Sequence, residues 1–387
     1  MQQTQENDSL KTILDEARKA KQADLSILLA RPEEFSVGGE NKRLPEVRFY
    51  TLLGSARIEG FFHKGSASKL YVMFNGSRSR SGGSAAAPLP AFSRWSWYKE
   101  TDASLLSLED PMYYTFPDCT LGWYYGTKDE DYRAYCAQCI KKIAELLNIE
   151  NENIVLYGSS GGGTAAIGVS RYLPGCCAVA INPQIFLDRY PYSEELEKIT
   201  GMDLRTEPDP FIRNDSCRII RENPGSIYIL IENVRSDGDY VTQFRTFCKK
   251  TGINPGFGID KNENIVSWLY DAQGAPSTHS SVDNAAIFKM IGLLIGHVRD
   301  GRDIGEIRNL YGIVNEFWYD RYSLMRTKYY QNKKIEELTE ENGRIKAEAE
   351  RMRKDMDWGW IKAGVRLKRT LGKVKRKLKR SEGCCVK

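Results

Sequence analysis

The sequence has no apolar run long enough to cross a bilayer. A membrane-spanning helix needs roughly 18 or more consecutive uncharged apolar residues, and no stretch approaches that length. The first residues, MQQTQENDSLKTILDEARKAKQ, also lack the apolar segment of a secretory signal. We therefore expect the protein to reside in the cytoplasm, where its nine cysteines remain reduced thiols.

Patterns that indicate a metal or a nucleotide are equally scarce. Cys136 and Cys139 form a single CxxC, with no second pair and no flanking histidine to complete a zinc site. The glycines of 158–163 are not followed by the lysine of a Walker loop, and their spacing does not match G-x-G-x-x-G. We predict two ordinary helix cysteines, no metal and no tightly bound cofactor.

Positive charge is scarce in the body of the chain and concentrated at its end. The formal net charge is +5, but residues 359–387 hold eleven Lys or Arg against one acid, which leaves about −5 for the remainder. An apolar stripe at helical spacing comprises Trp360, Gly364, Leu367, Leu371, Val374 and Leu378. Such a basic amphipathic helix is typical of interfacial membrane binding, so we predict that 358–387 binds an anionic membrane surface at the inner face of the cell membrane. No nucleic-acid recognition fold accompanies this charge, and we predict no nucleic-acid partner.

A short heptad pattern precedes this tail, within 329–357. Its seam residues alternate at spacings of three and four: Ile335, Leu338, Asn342, Ile345, Ala349 and Met352. The pattern predicts a limited coiled coil that contains one polar seam position and is weakened by Gly343. We therefore expect a helical, coiled-coil extension over 301–357 and self-association through 329–357.

The body of the chain alternates strand and helix patterns. The patterns predict a strand hairpin over 47–65, strands at 69–76, 103–111, 153–158, 177–182, 226–234 and 264–272, and helices at 129–147, 161–172, 240–251 and 282–298. This alternation indicates an α/β fold in which a mostly parallel sheet is covered by helices on both faces. We expect this domain over 47–300, after an N-terminal helix and linker over 1–46. An irregular, lid-like insertion is expected over 183–224, at the carboxyl edge of the sheet.

One turn in this domain has the pattern of a catalytic nucleophile. Gly158-Ser159-Ser160-Gly161-Gly162 fits G-x-S-x-G directly after a predicted strand and directly before a predicted helix. A serine hydroxyl is a poor nucleophile, so it must be held in a tight turn beside a base, with a backbone N–H aimed at the developing oxyanion. We predict that Ser160 is the nucleophile. The alternative is a plain glycine-rich connection between a strand and a helix.

Candidate partners for this serine follow it in the chain. Of the three histidines, His279 alone lies in the loop after the last predicted strand, where the sheet would carry a base back over the serine. His63 precedes the serine, and His297 lies in an apolar helix. Asp237 and Asp239 follow the preceding strand, so the order serine, acid, histidine predicts a triad. The acid is open between the two aspartates, both of which also fit a helix-capping role.

With these residues in place, the sequence resembles the α/β-hydrolase superfamily over about residues 47–300. Within it, four stretches at the expected active-site edge resemble hydrolase-fold proteins of bacterial surface-polysaccharide clusters, and the acetyltransferases of the accessory secretion system are similar in outline. These stretches are YVMFNGSRSR (71–80), FSRWSWYKE (92–100), EDPMYY (109–114) and LGWYYG (121–126). The resemblance implies the α/β-hydrolase fold. It also favours Asp239 as the acid, because its Asp-x-Val sequence matches the way the family leaves this turn.

The resemblance further implies an oxyanion hole and an activity. The backbone amides of Gly161 and of Ser77, in the loop after the third strand, are the expected donors, although the histidine that esterases often carry in this loop is missing. The implied reaction is O-acetylation of a capsular or other surface polysaccharide, with a sugar acceptor and acetyl-CoA as candidate donor. Carbohydrate ester hydrolysis by the same triad is one alternative. A non-catalytic scaffold of polysaccharide biosynthesis is the other.

Aromatic residues crowd two loops at the same edge. RWSWY and GWYY offer Arg94, Trp95 and Trp123 as substrate-binding residues, because aromatic rings can stack on the C–H faces of sugars. Anchoring of long loops to the core is the other explanation. Arg78 and Arg80 fit either attraction of an anionic donor or ordinary solvated loop charge.

Overall fold

The chain is described by a computed structural model over residues 21–36, 47–77, 89–90, 92–271, 279 and 284–382. It divides into two units, Met1–Tyr322 and Ser323–Lys387. The first unit is built on a β-sheet, and the second is helical.

Ten strands form one sheet in the described part of the first unit. They are β1 (Lys21–Gln22), β2 (Phe49–Leu53), β3 (Ala56–His63), β4 (Ala67–Phe74), β5 (Ala103–Leu108), β6 (Ile154–Ser159), β7 (Cys177–Ile181), β8 (Ile227–Asn233), β9 (Gly258–Asn262) and β10 (Ile265–Tyr270). Their spatial order is β1-β2-β3-β5-β4-β6-β7-β8-β10-β9. The pairs β2–β3, β3–β5 and β9–β10 are antiparallel, and the other pairs are parallel. The predicted mostly parallel sheet is therefore confirmed.

The parallel strands bring their carboxyl ends to one edge of the sheet. β6 pairs with β4 on one side, with Gly158 opposite Phe74, and with β7 on the other, with Ser159 opposite Ile181. β8 then pairs with β7 and with β10. The loops that leave these strands therefore meet beside Ser160, at the edge where open α/β sheets bind ligands.

Helices cover both faces of this sheet. They are α1 (Leu25–Ala30), α2 (Met112–Thr115), α3 (Tyr132–Leu146), α4 (Gly161–Ser170), α5 (Ser193–Thr200), α6 (Ser216–Glu222), α7 (Arg245–Thr251) and α8 (Ala285–Arg299), together with a π-helix over Asp237–Phe244. A ninth helix, α9 (Ile304–Glu382), follows them in the chain. Leu156 of β6 packs in a core with α3 and α4, whereas its neighbours Val155 and Tyr157 pack in a second core with α8. Alternate side chains of a strand point to opposite faces, so one layer of helices lies on each face. This is the α/β-hydrolase architecture that the sequence predicted.

The segment 183–224 differs from its predicted irregular course, because it contains α5 and α6. It is also packed against the rest of the unit through Arg213, whose side chain is buried. One guanidinium nitrogen of Arg213 donates hydrogen bonds to the carbonyl oxygens of Tyr125, Thr127 and Glu130, at 2.8 to 3.0 Å. The insertion is therefore an integral part of the first unit.

Further elements differ from the sequence prediction: the strand β1 lies within the predicted N-terminal helix and linker (1–46), and the short helix α2 was not predicted. β9 was not predicted, and it adds an antiparallel edge strand next to β10. The helix predicted over 240–251 is α-helical only from Arg245, and the π-helix Asp237–Phe244 precedes it. Cys136 and Cys139 are buried in α3, as ordinary packed helix residues.

The second unit contains the continuation of α9 from Ser323 to Glu382. It confirms the predicted C-terminal helical extension. Nearly all of the side chains described along this helix are exposed, including apolar ones such as Ile335, Ile345 and Trp360. Within the described ranges of the chain, no helix combines the length and the apolar character needed to span a membrane.

Candidate active site

Ser160 occupies a strained turn between β6 and α4. Its backbone has φ 54° and ψ −128°, a conformation that a residue with a side chain keeps only when its surroundings hold it there. Two glycines permit the close approach of the surrounding backbone. A Cβ at Gly162 would lie 2.5 Å from the carbonyl oxygen of Phe74, and a Cβ at Gly158 would overlap the carbonyl group of Gly162. The turn has the geometry that the G-x-S-x-G pattern predicts.

Two hydrogen bonds connect three residues that are far apart in the sequence. His279 Nε2 lies 2.8 Å from Ser160 Oγ, and His279 Nδ1 lies 2.6 Å from Asp239 Oδ2. When Nδ1 carries the ring proton and donates a hydrogen bond to the carboxylate, Nε2 is left as the acceptor for the serine proton. The structure thus brings Ser160, His279 and Asp239 together, whereas His63 lies on β3 and His297 in α8.

The structure also distinguishes the two candidate acids. Asp239 is 1% exposed, whereas Asp237 is exposed to solvent. Ser236 caps the π-helix, because its hydroxyl oxygen accepts the N–H of Asp239 at 3.2 Å; the same hydroxyl donates to Asp239 Oδ2 at 2.6 Å. The capping role considered for the aspartates is therefore wrong: Ser236 is the cap, and the Asp239 carboxylate faces His279.

Asn182 contacts the backbone of His279. Its side-chain amide donates to the carbonyl oxygen of His279 at 3.3 Å and to Tyr270 Oη at 3.1 Å, while its Oδ1 accepts the N–H of Asn233 at 3.0 Å. Asn182 is fully buried and follows β7 at the same edge as Ser160. These contacts place the imidazole over the serine, and the sequence analysis did not single out this residue.

Gln184 is a second buried residue that the sequence analysis missed. Its side-chain amide group donates to Ser160 Oγ at 3.4 Å, and its Oε1 accepts the indole N–H of Trp123 at 2.9 Å. Trp123 itself is fully buried. The stacking role predicted for Trp123 is therefore wrong for this structure, because its ring has no exposed face on which a sugar can lie. Its hydrogen bond orients Gln184 instead.

The two predicted oxyanion donors are Gly161, which follows the serine in the chain, and Ser77, which follows Gly76. Gly161 is the first residue of α4, and the first N–H groups of a helix have no acceptor within the helix. A Cβ at Gly76, the residue before Ser77, would lie 3.6 Å from the Ser160 Cβ, so this loop reaches the nucleophile. The hydroxyl of Tyr113 donates to the carbonyl oxygen of Gly76 at 2.8 Å and fixes the loop. Donation by the Ser77 amide stays a prediction.

Arg94 lies beside the nucleophile turn, whereas Trp95 packs against the sheet. Arg94 Nη2 donates to Ser159 Oγ at 2.6 Å, next in the chain to Ser160. The Trp95 ring packs edge-on against Phe61 with centroids 5.8 Å apart, which is the loop-anchoring role. A substrate contact by either residue stays a prediction, and Arg78 and Arg80 lie outside the described residues.

A further carboxyl group is buried close to this site. Glu232 lies on β8, fully buried, and neither of its side-chain oxygens has a hydrogen-bond partner among the residues that the structure describes. Burial, together with the negative charge of Asp239, raises the pKa of Glu232 well above its ordinary value. Glu232 is therefore a second buried acid near the imidazole, and it resists ionisation.

The chain matches no protein-family model and no curated protein, but it is similar in structure to several solved proteins. The capsule O-acetyltransferase of Neisseria meningitidis serogroup A is 19% identical, with a TM-score of 0.45 over 68% of this chain and 99% of that one. The Glycosylation Associate Protein (Gap123) complex from Streptococcus agalactiae is 17% identical, with a TM-score of 0.44 over 59% of this chain and 42% of that one. An acetyl xylan esterase from Paenibacillus sp. R4 is 12% identical, with a TM-score of 0.41 over 71% of this chain and 95% of that one. At identities this low the similarity concerns the fold alone.

Proposed function

We propose that this protein is a serine-dependent acyl-transfer enzyme that forms an acyl-enzyme on Ser160. The observation that carries the proposal is the hydrogen-bonded chain from Ser160 Oγ through His279 to Asp239, at 2.8 and 2.6 Å. In such a chain the imidazole accepts the serine proton, and the buried carboxylate orients the ring and stabilises its protonated form. The strained turn and the start of α4 add the position and the backbone donors that this chemistry needs.

The reaction follows from this arrangement in two halves. Ser160 Oγ attacks the carbonyl carbon of the donor while His279 Nε2 takes its proton, and the oxyanion accepts hydrogen bonds from backbone amides, of which Gly161 is the first candidate. The bond to the leaving group then breaks, and His279 returns the proton to that group. In the second half His279 deprotonates the acceptor hydroxyl, which attacks the acyl-serine and regenerates the Ser160 hydroxyl.

We propose an acetyl group on an activated thioester, of which acetyl-CoA is the candidate, as donor and a hydroxyl of a surface polysaccharide as acceptor. The support is the sequence resemblance of the loop residues that surround the site. Water is the alternative acceptor and would make the same site a carbohydrate esterase, because exclusion of water is what separates the two outcomes.

A serine-directed fluorophosphonate probe tests the nucleophile. The wild-type chain is expected to be labelled and Ser160→Ala is not. Ser159→Ala is the matched control, because it removes a hydroxyl from the adjacent residue, whose side chain bonds to Arg94, and should retain labelling. Equal labelling of Ser160→Ala and wild type would contradict the assignment. A wild-type chain that is never labelled would support a non-catalytic scaffold.

The partition of product between glycan and water tests the acceptor. The full chain is incubated with an acetyl thioester and candidate capsular polysaccharides, and acetylated sugars and free acetate are both quantified by mass spectrometry. Transfer predicts acetylated glycan in excess of acetate, with Ser160→Ala as the blank. Release of acetate without modification of any acceptor would indicate an esterase rather than a transferase.

We also propose that the end of α9 attaches the enzyme to an anionic membrane surface. An exposed apolar stripe includes Trp360, Leu367 and Leu371, and basic residues repeat on the opposite side of the helix. These basic residues are Lys362, Arg366, Arg369, Lys373 and Arg376. An apolar face that enters the headgroup region and flanking cations that contact lipid phosphates act together in peripheral binding.

Vesicle co-sedimentation tests this attachment. The full chain should bind vesicles that contain anionic lipid, release them at high salt, and leave zwitterionic vesicles unbound. Each cation near an anionic surface contributes about 1 kcal/mol, so replacing Lys362, Arg366 and Lys373 by Gln should weaken binding about 100-fold. Equal binding to both kinds of vesicle would contradict the electrostatic part of the proposal.

A further inference from the structure

We infer that residues 335–353 of α9 pair with the same segment of a second copy of this chain, in a parallel, in-register, two-stranded coiled coil. The contact surface is the part of the heptad seam formed by Ile335, Leu338, Asn342, Ile345 and Ala349. This association concerns the second unit and goes beyond the acyl-transfer reaction.

The seam presents apolar side chains to water in the single chain. Ile335 is 61% exposed, Leu338 46% and Ile345 56%, on a helix whose other described side chains are largely charged. Hydrophobic positions that repeat every 3.5 residues on average form a stripe that two helices bury by winding around each other. A partner helix with the same pattern removes all three side chains from water.

The identities of the seam residues favour two strands. In the heptad abcdefg, Ile335 falls at a and Leu338 at d, the combination that favours parallel dimers, whereas Ile345 at the following d position does not. Asn342 falls at the next a position, where a buried asparagine bonds with its counterpart across a parallel dimer and fixes register and strand number.

Charges beside the seam select the parallel orientation. Glu341 and Glu348 fall at g positions, while Lys346 and Arg353 fall at e positions, and all four side chains are exposed. In a parallel, in-register pair each g residue faces the e residue of the next heptad on the other helix. Glu341 then meets Lys346 of the second copy, and Glu348 meets Arg353, twice each by symmetry. In an antiparallel pair g faces g and e faces e, which places like charges together.

Two ion pairs within residues 340–354 of the single helix use other heptad positions. Arg344 pairs with Glu340, and Lys354 with Glu350, at positions b, c and f on the outer side. The charge pattern of the helix is therefore divided between pairs along its outer surface and side chains beside the seam that suit a partner.

Charge reversal in the full chain, followed by sedimentation equilibrium, tests the pairing. The wild type should form a dimer. The double variant E341K/E348K places Lys opposite Lys and Arg in the parallel pair, so its dissociation constant should rise about tenfold or more. The quadruple variant E341K/E348K/K346E/R353E restores opposite charges at every g–e contact and should return to the wild-type constant.

The matched control is E340K/E350K, which changes the net charge equally at outward positions and should leave the dimer intact. Circular dichroism checks that each variant keeps its helix. A wild-type chain that stays monomeric at tens of micromolar would overturn the inference. Equal effects of E341K/E348K and of the control, or no recovery in the quadruple variant, would overturn the parallel arrangement.

Discussion

Asp237 and Asp239 lie two residues apart in the sequence, and they differ most in solvent exposure. The hydroxyl of Ser236 and the imidazole of His279 both contact the carboxylate of Asp239, whereas the Asp237 side chain is exposed. The order of residues along the sequence placed both aspartates after the correct strand, but it did not show which of them is the acid of the triad. The π-helix determines which of the two carboxylates faces the imidazole, and this rare element has no reliable sequence pattern.

The effect of an Asp-to-Asn replacement on kcat should therefore depend strongly on which of the two aspartates is replaced. We expect Asp239→Asn to lower kcat by about 10³-fold or more, because the amide cannot stabilise the imidazolium and favours the wrong tautomer of His279. Asp237→Asn, the control, should keep kcat near the wild-type value. Turnover of a chromogenic acetyl ester measures both. Comparable losses in the two variants would refute the assignment of Asp239.

Residues that support the site were harder to find than residues that form it. Asn182 and Gln184 are polar side chains just after β7, and such residues are common in loops of every kind. Their contacts to His279 and Ser160 depend on how loops from different strands meet, which no local pattern encodes. The one available signal was their place at the carboxyl end of a parallel strand.

The buried acid near the site predicts a dependence of stability on pH. The folded state binds a proton on Glu232 more tightly than the unfolded chain does, since its folded pKa is raised. The stabilising contribution of Glu232 is thus complete below about pH 4.5 and is lost as the pH rises toward the folded pKa. Glu232→Gln should be more stable than wild type in neutral solution, with a difference that grows from about pH 4.5 up to the folded pKa of Glu232 and is constant above it.

Urea unfolding of both chains at several pH values measures this difference. The exposed residue Glu145 supplies the control, because Glu145→Gln should leave the free energy of unfolding nearly unchanged at each pH. A difference for Glu232→Gln that does not vary with pH would show that the carboxyl group ionises as easily in the folded protein as in the unfolded chain.

At the scale of elements, the strands of the parallel core were predictable because each is a compact apolar run between turn residues. The runs at 153–158 and 177–182 correspond to β6 and β7 within one residue or so. β9 has the sequence GIDKN, whose polar residues resemble a loop; it is a strand because its backbone pairs with β10. Likewise, α5 and α6 lie in a region rich in Pro and Asp, and buried contacts rather than local propensity stabilise these short helices.

The nucleophile turn tolerates no side chain at Gly162. A methyl group there would lie 2.5 Å from the carbonyl oxygen of Phe74 and 2.8 Å from that of Asn75, and backbone cannot move aside as a flexible side chain can. We expect Gly162→Ala to lower the free energy of unfolding by about 2 kcal/mol or more and to reduce activity. Gly225→Ala is the control, because a methyl group at Gly225 would contact nothing within 4 Å. Denaturant unfolding that shows equal stability in the two variants would refute this account of the turn.

At the scale of the whole molecule, the residues proposed for catalysis and the basic residues proposed for membrane binding lie in different parts of the chain. The site is built from loops of the first unit, whereas the basic residues concentrate within 359–387. Sequence composition alone revealed this separation, because net charge needs no knowledge of the fold. Which partner the tail contacts is determined by molecules other than this chain, so one sequence does not contain it.

The proposed dimer makes a quantitative demand on membrane binding. In a parallel pair the two basic segments begin side by side, whereas an antiparallel pair centred near residue 343 would set their starts about 50 Å apart, at 1.5 Å per residue. Two adjacent segments bind one vesicle with an avidity that a single segment lacks.

E341K/E348K should therefore bind anionic vesicles about tenfold or more weakly than wild type at protein concentrations where wild type is dimeric, although its segment after residue 359 is unchanged. The quadruple variant should recover both dimer and binding, and E340K/E350K should lose neither. Vesicle affinity that stays constant while the dimer dissociates would show that the two proposals are independent.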